Sequence, residues 1–120
     1  MLIDSLLDEL VSSVEGATGA IIVAVDGEAI QWSASEQTDR LRLRAAYAAV
    51  AMQAFRAAAA RAGLGRPQHL VVEYDGATLI AQKIDDDCSV VLELKPNATV
   101  GRAVYRMQEV AAQLRYEITL

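Results

Sequence analysis

A chain of 120 residues, 53% of them hydrophobic and with few Pro or Gly, can bury a real core, which excludes intrinsic disorder. Its formal net charge of −5 excludes nucleic acid as the expected partner, because phosphate backbones are held by dense basic surfaces. One Cys rules out an internal disulfide, and the length suits one domain over residues 1–120.

Leu2, Leu6 and Leu10, beside Ile3, Leu7, Val11 and Val14, recur at helical spacing, and Asp4, Asp8 and Glu9 lie near the start, where the helix dipole favours acidic groups. Gly16 is the expected stop. These acids also interrupt the apolar stretch, with no basic leader before it and no run long enough to span a bilayer, so a cytoplasmic protein without membrane insertion is expected. From Gly19 the period changes: residues 20–25 are continuously apolar, as in a central strand covered on both faces. Asp26-Gly27 supplies a tight hairpin turn, and residues 29–33 return as a more polar edge strand.

Residues 38–65 form an alanine-rich helix, capped by Thr38 or Asp39 and ended by Gly63, Gly65 and Pro67. It carries two apolar stripes where a surface helix needs one. Leu43, Tyr47, Val50, Ala54 and Ala57 make the first; Leu41, Ala45, Ala48, Met52, Phe55 and Ala59 make the second. Small Ala side chains on the second stripe would let another helix approach closely, so self-association through that seam is expected. Three strands follow, over 70–74, 78–84 and 90–94, with an Asp75-Gly76 turn between the first two and the acidic loop Asp85-Asp86-Asp87 between the last two. A final single-faced helix begins near Asn97 or Thr99, with Val100, Val104, Met107, Ala111 and Leu114 on one stripe. The order α-β-β-α-β-β-β-α predicts an α/β chain of α+β type: a five-stranded antiparallel sheet sandwiched by helices, the two single-faced helices sharing one face and the two-faced helix covering the other.

Catalytic chemistry is sparse. The one histidine, His69, assembles no zinc set and no Ser/His/Asp set, and reads as structural or exposed. Gly16-Ala17-Thr18-Gly19 precedes a strand, whereas a phosphate-cradling loop follows one. Asp85, Asp86 and Asp87 lack the Gly and distal Glu of a calcium loop and read as a solvated turn, and Cys88 as a small buried residue. No catalytic residue, metal or cofactor is therefore expected. Arg40, Arg42 and Arg44 stand in the first turns of a helix, where the dipole disfavours cations. Either Glu36 and Asp39 neutralise them, or they form a basic patch for an acidic protein partner. Arg56, Arg61, Arg102 and Arg106 read as solvated positions.

The element order, the Leu-rich first helix ending at Gly16, the strand and turn Ile21-Ile22-Val23-Ala24-Val25-Asp26-Gly27, the Ala-rich second helix and the segment Leu92-Glu93-Leu94-Lys95-Pro96-Asn97-Ala98-Thr99-Val100-Gly101-Arg102 together resemble the Roadblock family, the dynein light-chain type domain shared with bacterial MglB-type regulators of Ras-like GTPases. The resemblance spans nearly the whole chain. It implies a homodimer whose second helices pack together and whose following strand, Leu70, Val71, Val72, Glu73 and Tyr74, pairs with its symmetry mate; a long apolar edge without Pro would otherwise invite aggregation. It further implies a non-enzymatic regulator or scaffold of a Ras-like small GTPase, which could stimulate hydrolysis by that partner, with Arg40, Arg42 and Arg44 on the partner surface. A structural adaptor, homodimeric or paired with a paralogue, and a small-ligand sensory domain are the alternative readings.

Overall fold

The computed structural model describes residues 2–34 and 38–119. The elements in chain order are α1 (Leu2–Ser13), β1 (Ala17–Ala24), β2 (Ala29–Ala34), α2 (Thr38–Ala62), β3 (His69–Glu73), β4 (Thr78–Lys83), β5 (Cys88–Leu94) and α3 (Val100–Thr119). All strand pairs are antiparallel, in the order β2-β1-β5-β4-β3. This is the predicted five-stranded sheet, with β2 at one edge.

The uninterrupted apolar run of β1 is explained by its place beside β5 at the centre. Ala20 and Ile22 face one core with Val90, Leu92 and Leu94, while Ile21 and Val23 face a second core with Val91. The first core is closed by Leu6, Leu7 and Leu10 of α1 and by Ala103, Met107, Val110, Ala111 and Leu114 of α3. The second, smaller core is closed by α2 alone. The two single-faced helices thus share a face, as their patterns predict.

Chain reversals follow the turn residues. Gly16 ends α1 with φ +86°, and a Cβ there would stand 3.0 Å from the Cβ of Ala98, so both backbone conformation and space require glycine. Asn97, ahead of α3, also adopts a positive φ of 67°, which Asn tolerates better than most residues. β1 starts at Ala17 and β5 at Cys88, each two or more residues earlier than the apolar runs indicate, because Ala17 pairs with Leu94 and Ala24 with Cys88 across the central ladder.

Candidate functional site

α2 packs on β1, β2, β4 and β5, and its inward face consists of Leu41, Ala45, Ala49 and Met52. This corrects the expected assignment of its two stripes. Leu41, Ala45 and Met52, expected at a dimer interface, are buried within the chain and cannot meet a second copy; Ala48 and Ala59 are half-buried on the flank, and Phe55 is exposed. The other stripe points outward: Leu43 is 57%, Tyr47 68% and Val50 60% exposed, with Ala54 and Ala57 exposed beyond them. Steric fit decides which stripe goes in. α2 lies so close to the sheet that a Cβ on Gly19 would be 2.9 Å from Cδ2 of Leu41, and one on Gly27 3.4 Å from the Cβ of Ala46. The stripe carrying Tyr47 could not enter that space without lifting the helix.

Beside the outward stripe lies the sheet edge formed by β3, which pairs with β4 on one side and, among the described residues, with no strand on the other. Leu70, Val71 and Val72 are half-buried, Glu73 and Tyr74 exposed. Val71 packs toward the α1 and α3 side, whereas Leu70 belongs with the α2 side. Phe55, Ala59, Leu64 and Leu70 line a groove of about 480 Å³ between α2 and this edge. Leu43, Tyr47, Val50 and Phe55, four large apolar side chains left largely in water along one helix, are the most conspicuous solvent-facing feature of the chain.

The three arginines at the start of α2 have separate surroundings. Arg44 turns inward, its Nη1 donating to Oε2 of Glu93 at 2.7 Å, while the Thr18 hydroxyl donates to Oε1 of the same carboxylate, also at 2.7 Å. Glu93 is buried on β5 beneath α2, so this pair is an internal one. Arg42 lies over the Trp32 ring of β2, 5.0 Å from its centroid, and Arg40 is exposed. Glu36, one of the expected neutralising acids, lies outside the described residues. The role of Glu93 is missed by periodicity, yet a lone carboxylate in the run Val90-Val91-Leu92-Glu93-Leu94 is a signal that a cation must come to meet it.

Other titratable groups serve the scaffold. Asp85 Oδ1 accepts from the backbone N–H of Asp87 at 2.8 Å and of Cys88 at 3.0 Å, fixing the β4–β5 turn. Asp86 pairs with Arg66 and with Lys83 at 3.2 Å, and the Arg66 guanidinium, then the Lys83 ammonium, holds its carboxyl below the usual range. Cys88 is buried, and desolvation together with the neighbouring Asp85 pushes its thiol up to about 12. Two arginines read as solvated are in fact engaged: Arg56 donates to the carbonyl of Asp86 at 3.3 Å, and Arg106 ties α3 to Glu9 of α1 and reaches Glu109 at 3.5 Å. His69 is exposed at the start of β3. Among the described residues no group of three His, Cys, Asp or Glu side chains could hold a metal ion, and no helix is long and apolar enough to cross a membrane.

A family model for the Roadblock/LC7 domain matches residues 3–92. No curated protein matches the sequence. Among solved structures, a Roadblock/LC7 domain from Streptomyces avermitilis superposes with a TM-score of 0.87 at 22% identity, over 98% of this chain and 98% of that one. MglB from Myxococcus xanthus gives 0.86 at 16% identity, over 99% and 96%. The gliding protein MglB from Thermus thermophilus gives 0.83 at 19% identity, over 95% and 86%. At these identities the superpositions establish the shared fold.

Proposed function

The chain belongs to the Roadblock/LC7 domain family, and from that membership we propose that it acts in the cytoplasm as a homodimer that binds a Ras-like small GTPase and regulates or scaffolds its cycle, with no active site of its own. The observation that carries the proposal is the outward row Leu43, Tyr47 and Val50 on α2, next to the unpaired edge of β3. A soluble monomer rarely leaves such a row in water, and a twofold axis along it would cover both the helix and the edge at once. A related MglB structure is described as having a tetrameric arrangement, which supports self-association as a habit of this fold. In the dimer, α2 of each copy would form a continuous platform for the GTPase, with Arg40 and Arg42 at its rim steering an acidic partner. Such a protein would act by orienting the GTPase's own residues.

The test is GTP hydrolysis and nucleotide exchange by the Ras-like GTPases of the same genome, with and without this protein. A changed rate together with a complex seen by light scattering is expected. A complex without any rate effect would favour the adaptor reading. Absence of a complex with both GDP- and GTP-loaded forms would refute the proposal.

A further inference from the structure

We infer that the partner surface lies on the β2 flank of α2, where Trp32 and Arg42 form a docking patch for a carboxylate-bearing segment of a protein partner; this rests on the proposed GTPase-binding function and assigns its contact residues. Trp32, the only tryptophan in the chain, is 40% exposed on an edge strand, and Ile30 beside it on β2 is exposed as well. Register places Trp32 opposite Ile21, hence on the α2 side of the sheet, where the Arg42 guanidinium stacks on its ring. No carboxylate of the described residues pairs with Arg42, whereas Arg44 is already committed to Glu93. Stacking restrains the Arg42 side chain while it stays exposed to solvent, so it is pre-organised to donate to a carboxylate.

The chemistry of the occupant follows from charge. A second copy meeting this patch about a twofold axis would bring Arg42 against its own mate, which disfavours self-pairing here. The opposite flank of α2, toward β3, is the one suited to self-association, so the two surfaces do not compete. An acidic segment with an apolar residue for the Trp32 ring satisfies both the Arg42 cation and the exposed aromatic, and Trp and Arg are among the residues that most often dominate interface energetics.

The single Trp makes the test direct. Incorporating 5-fluorotryptophan into this chain alone gives one 19F resonance, read while each Ras-like GTPase of the same genome, loaded with GDP or a non-hydrolysable GTP analogue, is titrated in and complex formation is followed by light scattering. The expected result is a shift or broadening of the Trp32 signal on binding. Trp32→Ala and Arg42→Glu should each weaken binding roughly tenfold or more, and Arg42→Glu should also reduce its salt sensitivity. Arg42→Glu alters a solvent-facing side chain and keeps the test valid should Trp32→Ala fold poorly. Tyr105→Ala, at an exposed position of α3 across the sheet, should leave affinity unchanged. A GTPase that binds with the Trp32 resonance unmoved and Arg42→Glu within about twofold of wild type overturns this assignment while leaving the proposed function standing. If no GTPase binds, the proposed function fails and this assignment with it.

Discussion

Val50→Glu and Met52→Ala, two positions apart on α2, should fail in opposite ways. Val50 is 60% exposed, and fully burying a valine side chain contributes about 1.5–3 kcal/mol, so a twofold interface would gain about 1–2 kcal/mol from each copy. The pair is then worth about 2–4 kcal/mol, which corresponds to roughly thirty- to several-hundredfold in the dimer dissociation constant. Glutamate adds a desolvation penalty, and two carboxylates facing across the axis repel, so the loss should exceed that range. The folded monomer should lose little, because most of this side chain lies in water. Met52, by contrast, is buried against the sheet, and truncation to Ala should cost the fold about 2–5 kcal/mol through the cavity it leaves. Sedimentation equilibrium reads the first effect and thermal or urea unfolding the second. A wild-type protein that stays monomeric at high concentration would refute the interface, as would Val50→Glu with wild-type self-association.

Arg44→Met should destabilise the chain by about 1–3 kcal/mol, less than for a fully buried pair because Arg44 is partly open to solvent, and Arg44→Met with Glu93→Gln should recover much of the loss; urea titrations of the single and double variants decide it. Cys88 should resist alkylation at pH 8 until the protein is unfolded. Its thiol is raised from an ordinary value of 9.0 to about 12, so the folded state holds the proton more tightly; the corresponding stability is fully present below pH 9 and is lost as pH rises toward 12, which unfolding curves across that interval would show. A thiol that reacts at once at pH 8 in the folded state would contradict this.

Much of the fold is legible in the sequence because local pattern and burial agree. Residues 20–25 are apolar on both faces and β1 sits between two neighbours; the stripes of α1 and α3 are single and each helix buries one side. What the pattern does not reveal is which stripe of α2 faces the sheet, since both have helical spacing and comparable hydrophobicity. Side-chain size against the sheet decides that, and the relevant signs were Gly19 and Gly27, whose missing side chains admit Leu41 and Ala46. The dispersal of the arginine patch was equally hidden, because Arg44 meets Glu93 across 49 positions of sequence and Arg42 meets Trp32 on another element. Spacing along one helix reports neither partner.

The central ladder also sets the order in which the chain can assemble. β1 and β2 form a local hairpin, and β3, β4 and β5 a local meander, but Ala24 of β1 must find Cys88 of β5 across the whole of β2, α2, β3 and β4. Closing a connection of that length costs ~4 kcal/mol more than joining adjacent residues, a cost that precedes any benefit from the ladder it permits. The 25 residues of α2, once helical, replace a floppy tether with a rod of about 37 Å that narrows the search. Cooperativity therefore hinges on one seam between two locally competent halves, and a break in the pairing of β1 with β5 would leave a hairpin and a meander, each too small to keep its apolar face from water.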